Sequence, residues 1–591
     1  MSNGKEQKTN AGANPHPNDV ETLKVLVDDL IRSLEKEKQK VADLELAMDR
    51  LIRKQFGSKS ERFVDPNQLS LFTDDSASAA TENIEDAELG EDDDEPPPQG
   101  RRRPRGGRRP LGENLKRIRE EHLLDDTECN CALCGGQLDL RMIKGAELLG
   151  YRPPEYFVTE HYHQTGFCNC CDEHVIKAKR PPQMIPKGMA DASMLAHVIT
   201  NKKGDYLPLY RQEEISLRHG FGLPRSTQAD WLKRASWTST ILYSWMASRV
   251  LRGQVIGMDE TRAPVLEPGS GKVQSGRMWV YCGQLEVCPY LIYEYTRTKE
   301  GVWPKTFLAG YEGYLQADAA NSFDRIFKSN KVWEVACGAH MRRYFHEALE
   351  TSSLEARIAL AYFRRLYKIE RMIKPLTPEE RREYRQDQAL PILEEFKSWI
   401  DETKATPKSD LGAALRYAKN HWDAFTRYCD EGWLIIDNTR SERALRTIAI
   451  GRRNWLFYGN DGGGRTGAIL SSLVGSAKVN CVSPYHYLED IFEQMPKVRQ
   501  HPALLPILQA ACQQVEFKDG TRPNMVSLED PIDYLRILKD NPRILTQQMI
   551  ENELDPDITA ALDSMLPDHW LKAHPEHYLP INRRTRLVGA A

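Results

Sequence analysis

The sequence has little of what marks a secreted, membrane-spanning or small disulfide-held protein. Its N-terminal stretch, MSNGKEQKTNAGANPHPND, lacks the apolar core of a secretory signal, and no uninterrupted apolar run is long enough to span a bilayer. Twelve cysteines in 591 residues are too sparse for a disulfide scaffold, and in a reducing compartment they stay thiols or metal ligands. A cytoplasmic location is therefore expected. Net charge is nearly absent: 81 Lys and Arg against 85 Asp and Glu leave -4, a balance that names no partner until the charges are seen to be segregated. Gly462-Gly463-Gly464 lacks the following Lys-Ser/Thr and the preceding strand of a phosphate-cradling loop, which argues against nucleotide binding there.

What is present is a soluble globular composition, 28% charged and 40% hydrophobic, in a chain long enough for two to four modules. After a disordered tail over 1–20, Leu23, Val27, Leu30, Leu34, Val41, Leu44, Met48 and Leu51 recur on three- and four-residue steps. This heptad seam predicts a coiled-coil helix over 21–56 and self-association into a homo-oligomer. Residues 57–112 read as a disordered linker, acidic from Glu85 to Glu95 and then basic through Arg101, Arg102, Arg103, Arg105, Arg108 and Arg109. Such an arginine run suits phosphates or a narrow minor groove, and a merely solvated charged linker explains it as well.

Two CxxC pairs, Cys131/Cys134 and Cys168/Cys171, are separated by 33 residues and predict a structural zinc finger domain over 113–185. Cys129 and Cys170 are alternative ligands, and a site closed by four thiolates leaves no position for catalysis. Residues 186–250 read as a helical, helix-turn-helix-like region, broken at His219-Gly220 and restarting after Pro224. Ser226 or Thr227 is expected to cap the second helix, and Thr227, Gln228 and Lys233 to face DNA; a plain helical hairpin fits equally.

The chemistry-bearing pattern follows over 251–349. Val255-Ile256-Gly257-Met258 reads as a strand ending on Asp259, Met278–Tyr281 and Tyr290–Tyr293 as two more, and Tyr314–Ala317 as one ending on Asp318. With helices at Val302–Leu308 and Ser322–Phe327 and a strand at Lys331–Ala336, the order βββαβαβ is that of a ribonuclease H-like sheet. Two aspartates at the ends of adjacent strands project from one edge, where hard carboxylate oxygens suit magnesium or manganese. A third carboxylate is available in Glu442, in the first turn of a helix starting near Asn438, although a capping box with Thr439 accounts for that residue equally well.

The runs GMDETRAPVL, LQADAANSFD, CGAHMRRYFHEAL and IIDNTRSERALRTIAIGRRNWLFYGNDGGGRTGAILSSLVGSAKVN together resemble the insertion sequence sixty-six family of bacterial DDE transposases. The similarity extends to the heptad N-terminus with its QFGSKSERF exit, the CxxC pairs and LYRQEEISLRHGFGLPRSTQADWL, covering most of the chain through about Leu488. It implies that Asp259, Asp318 and Glu442 are a catalytic acidic triad, that 350–430 is a helical insertion, and that 431–483 completes the core. It also implies bound magnesium, cleavage of an element end and transfer of the freed 3′-hydroxyl to target DNA. Helper proteins encoded beside it and action at the bacterial nucleoid follow from the same resemblance. Ala319-Ala320 departs from the family's usual Gly-Tyr, and 484–591, helical and proline-punctuated, is less familiar and carries no assigned chemistry.

Around the acids, Arg342, Arg343, Arg446, Arg452 and Arg453 are candidate phosphate contacts, and His340 is a candidate to orient a phosphate or a carboxylate. Three other functions compete: a zinc-containing DNA-binding regulator with a silent core, a ribonuclease H-like nuclease without strand transfer, and a coiled-coil scaffold. The scaffold leaves the strand-end aspartates without a role.

Overall fold

A computed structural model describes residues 155–579 apart from 168–174, 179–180, 268, 319–323, 328–330, 518 and 529. The expected coiled coil, the charged linker with Arg101 to Arg109, and Cys131, Cys134, Cys168 and Cys171 lie outside the described residues. Two short strands, β1 (Thr165–Phe167) and β2 (Val175–Lys177), pair antiparallel on either side of residues 168–174.

Helices α1 (Ala192–Lys203), α2 (Leu209–Arg218) and α3 (Arg225–Leu251) come next. The third begins directly after Pro224, whose extended backbone serves as N-cap without a side-chain bond, so Ser226 and Thr227 lie inside the first turn rather than capping it. Proline suits this position because it has no N–H to leave unsatisfied. From Trp231 onward α3 is buried on nearly every side, which is why its 27 residues carry no single apolar stripe.

A five-stranded sheet follows, in the order β5-β4-β3-β6-β7. Strands β3 (Val255–Leu266), β4 (Val273–Cys282) and β5 (Leu291–Thr296) form an antiparallel meander. After α4 (Val302–Phe307), β6 (Gly313–Ala317) pairs parallel with β3, and after α5 (Asp324–Phe327), β7 (Val332–Ala336) pairs parallel with β6. The element order is the βββαβαβ expected. One correction concerns length: β3 does not end on Asp259 but runs seven residues further, to Leu266. Beyond Gly257 it keeps β4 on one side, while on the other β6 has stopped and the next partner is Tyr458, bridged at Val265; Pro264, which has no N–H to donate, is tolerated there.

Both faces of the central strands are covered. Ile256, Met258, Trp279, Tyr281 and Ile292 pack into a core shared with α1, α3 and the C-terminal helices. On the opposite face Val280, Cys282 and Tyr293 meet Ala444, Leu445 and Ile448 of α12 (Thr439–Trp455) and Ala468 of α13 (Asp461–Val479). Between β7 and α12 lie α6 (Gly338–Glu347), α7 (Ser353–Ile373), α8 (Pro378–Tyr384), α9 (Leu390–Glu402), α10 (Asp410–Asn420) and α11 (Trp422–Thr426). They form a separate aromatic core around Phe345, Phe363, Phe396 and Phe425. Arg385, between α8 and α9 and only 1% exposed, ties this core together through Glu370 (2.8 and 2.6 Å) and the carbonyls of Tyr428 and Glu431.

The C-terminal helices α14 (Pro484–Arg499), α15 (Leu505–Gln513), α16 (Pro531–Leu538), α17 (Pro542–Glu551), α18 (Pro556–Ser564) and α19 (Pro567–Ala573) brace α3 and the sheet edge. Asp563 accepts from Trp245 and Arg249 of α3, and buried Glu294 of β5 pairs with Arg543. Among the described residues no helix is long and apolar enough to cross a membrane.

Candidate active site

The parallel register of β3 and β6 aligns Gly257 with Gln316 and then stops. Two residues further along each chain stand Asp259, still within β3, and Asp318, just past the end of β6, close enough for the charge of Asp318 to act on Asp259. Alternation along β3 places Asp259 on the face of Gly257, Ala263 and Val265, the face that α12 covers.

Gly257 explains how α12 reaches this spot. A Cβ there would lie 2.8 Å from Ser441 Oγ and 3.2 Å from Asn438 Oδ1, so only glycine lets the helix start rest on the strand. Asn438 Nδ2 donates to Met258 O (2.7 Å), Ser441 Oγ donates to Asn438 Oδ1 (2.7 Å), and the Asn438 amide donates to Cys337 Sγ (3.1 Å) at the start of α6. These contacts are buried and fix the start of α12 on β3, with Glu442, one residue on, near enough for its charge to act on Asp259. The glutamate makes no capping box: the N-cap is Asn438, not Thr439, and Thr439 Oγ1 is engaged by Asp437 Oδ1. Glu442 Oε1 is instead buried without a hydrogen-bond partner, as is Asp318 Oδ1.

The electrostatics are those of crowded acids. Burial pushes the Asp259 carboxyl well above its usual range, and the negative charges of Asp318 and Glu442 push it further. Burial likewise raises Asp318, against the pull of Lys299, and raises Glu442, with Asp437 adding and Arg343 opposing. His340 Nδ1 lies 3.5 Å from Glu442 Oε1 and is also without a hydrogen-bond partner. Burial, with Arg343 beside it, lowers the imidazole to about 4, so it is neutral at neutral pH. Cys337, His340 and Glu442 bring their donor atoms within 4.8 Å of one another; the thiol, raised well above its usual value by burial, is a poor ligand beside the acids.

Residues 187–466 match the family model described as Transposase IS66 family, and residues 43–119 match one described as Transposase C of IS166 homeodomain. Two relatives come from Sinorhizobium fredii (strain NBRC 101917 / NGR234). Uncharacterized protein y4qI is 30% identical over 468 residues, covering 76% of this chain and 85% of the relative. Uncharacterized protein y4jD is 27% identical over 504 residues, covering 81% and 97%. The chain belongs to the IS66 transposase family.

The transposase's predicted DNA contacts fall into unlike settings. Arg342 and Arg343 are half-buried on α6, with Arg343 acting on Glu442 and His340. Arg446 and Arg453 are exposed on α12, and Arg452 is half-buried with its guanidinium donating to Arg262 O (2.6 Å). Lys233 is exposed and Thr227 half-buried. Gln228 is a correction: it is fully buried, and its amide donates to Leu209 O (3.3 Å) and Leu223 O (2.9 Å), locking α2 against the start of α3. Its amide is committed to the turn, so it cannot read a base edge. Sequence reasoning assigned no role to Gly257, Cys337, Asn438 or Ser441; the signal available was a glycine inside an apolar strand and an asparagine just before a helix.

Proposed function

We propose that this transposase is a DDE enzyme with a ribonuclease H-like core, in which Asp259, Asp318 and Glu442 hold divalent cations and catalyse cleavage and strand transfer of DNA. The observation that carries the reading is a set of three acids, on β3, just after β6 and in the first turn of α12, near enough that Asp318 and Glu442 act on the buried Asp259, with one oxygen each of Asp318 and Glu442 buried and unpartnered. The donor set suits magnesium or manganese, which bind carboxylate oxygens and favour their ionised form. When bound, paired ions activate an attacking oxygen and stabilise the leaving one.

The chain's own residues supply the framework. Asp259 and Asp318 present oxygens from rigid strands, and Glu442 approaches from α12, held by Asn438 and Ser441. Arg343 sets the potential at Glu442, and neutral His340 stands beside it. The reaction is two in-line displacements at phosphorus: water releases a 3′-hydroxyl at the element end, and that hydroxyl then attacks target DNA, with no covalent enzyme intermediate. Element ends and target are double-stranded DNA; a zinc site at Cys131, Cys134, Cys168 and Cys171, an oligomer through residues 21–56, and helper proteins from the same element complete the proposal. Lys233, the arginines 101–109 and those on α6 and α12 remain its candidate phosphate contacts.

The test is a magnesium-dependent cleavage and strand-transfer assay on element-end DNA, comparing the parent with Asp259→Asn. Loss of both steps in a variant that still binds DNA supports the proposal; equal activity sinks it.

A further inference from the structure

The end of α12 farthest from the acids is built unlike an ordinary helix terminus. Trp455 closes the helix, and Leu456 follows at φ 67°, ψ -57°, with the Phe457 amide donating to Trp455 O (2.9 Å). This is a γ-turn of the rare left-handed kind, strained for a residue with a branched side chain. Strain is ordinarily tolerated where packing holds it, yet Leu456 is 63% exposed and Phe457 40% exposed. The backbone behind them is fixed: Tyr458 N donates to Pro264 O and Leu266 N to Tyr458 O, adding this segment to the free side of β3. Two apolar side chains are thus held outward on a rigid mount.

The surroundings are cationic. Arg262 and Arg453 are exposed, Arg452 lies between them, and Lys202 sits 4.3 Å over the Trp455 ring. Burial lowers Arg452, and the charges of Arg453 and Arg262 lower it further, so three guanidinium groups crowd one place. The carboxylates flanking the same segment, Glu267 and Asp461, are both paired with Arg297. An apolar tip ringed by arginines matches a polyanion that offers flat apolar surfaces, which is opened duplex DNA.

We propose that Leu456 and Phe457 form a wedge that stacks on an unstacked base step of duplex DNA while Arg262, Arg452 and Arg453 hold the flanking phosphates. This rests on the DNA-processing reading above and adds a contact separate from the acids. Pro264 is five strand residues from Asp259, about 17 Å, so the wedge meets the duplex about five base pairs from the phosphate under attack. Its role is to open and hold the helix near the reacting strand rather than to touch the reacting atoms.

The experiment uses the full chain and a fluorescein-labelled duplex ending in the DNA that flanks the coding region, with 2-aminopurine placed at successive positions. Anisotropy reports binding and 2-aminopurine emission reports unstacking. Emission is expected to rise at one or two neighbouring positions with the parent. Leu456→Ala/Phe457→Ala should weaken binding roughly fivefold or more and abolish that rise, and Phe457→Trp should preserve it. Equal binding and equal emission with the double variant would overturn the wedge while leaving the DNA reading intact. Flat emission with the parent, together with an altered particle size or a lower Tm in the double variant, would mean that the tip covers this chain or a second copy and would also overturn it. No binding of the parent to any duplex defeats the DNA reading itself, and this inference with it.

Discussion

Adding one methyl group at Gly257 tests how the third acid is placed. In Gly257→Ala the new Cβ would meet Ser441 Oγ at 2.8 Å and Asn438 Oδ1 at 3.2 Å, both inside normal contact. Neither oxygen can swing aside, because Ser441 is bonded to Asn438 and Asn438 to Met258 O, and both side chains are buried. The start of α12 must therefore lift by roughly half an ångström and carry Glu442 with it. Overpacking of this kind costs about 1–3 kcal/mol, a small fall in Tm for so large a folded unit. The effect on cleavage is larger, since a displacement approaching 1 Å at reacting groups costs on the order of a hundredfold. The assay is magnesium-dependent cleavage of end DNA with Tm recorded beside it, and Gly475→Ala on α13, whose Cβ would lie 3.2 Å from the Tyr293 ring of β5, serves as an overpacking control that leaves Ser441 and Asn438 untouched. A tenfold or greater loss in Gly257→Ala with near-parental activity in Gly475→Ala is expected. Full activity and an unchanged Tm in Gly257→Ala would refute the account of how α12 is seated.

Three further outcomes follow from the same contacts. Asn438→Ala removes the bond to Met258 O and the acceptor of Ser441, and is expected to cost about 1–3 kcal/mol in chemical denaturation and to lower cleavage more than DNA binding. Because Asp259 is raised above its ordinary 3.8 in the folded state, the metal-free protein holds a proton there that the unfolded chain has released. Its stabilising share is therefore complete below about pH 4 and falls away as pH rises through the raised value. Asp259→Asn should accordingly raise the metal-free Tm at neutral pH and not at pH 4, while manganese should raise the Tm of the parent alone; a pH-independent difference would speak against crowded acids. Glu370→Ala leaves Arg385 buried without its carboxylate and should destabilise the helical insertion by about 3–5 kcal/mol, seen as early protease cleavage within 350–430.

The sheet was legible because its strands are short apolar runs with turn residues between them, and the order βββαβαβ carries through to the structure. The extent of β3 was not, since Arg262 and Pro264 break the strand signal and are accommodated only because β6 stops at Ala317. Asp259 and Asp318 could be placed from the chain alone, each following an apolar strand run. Glu442 could not, because Thr439 three residues before it imitates a capping box; the helix starts at Thr439 itself, one residue earlier than that box requires. Gln228 misled for a related reason: a polar residue in an exposed-looking first turn is drawn inward by the carbonyls of Leu223 in the preceding turn and of Leu209 at the start of α2, a tertiary demand with no local signature. The wedge at Leu456 was invisible in sequence because hydrophobic residues near a helix end ordinarily pack, and only the φ value and exposure show that these do not.

The most direct measurement is anomalous diffraction from crystals soaked in manganese. Two peaks about 4 Å apart are expected, held by the carboxylates of Asp259 and Asp318, with that of Glu442 at one of them. Full occupancy elsewhere and no peak between Asp259 and Asp318, or a peak there with the Glu442 carboxylate turned away to His340 alone, would contradict that arrangement.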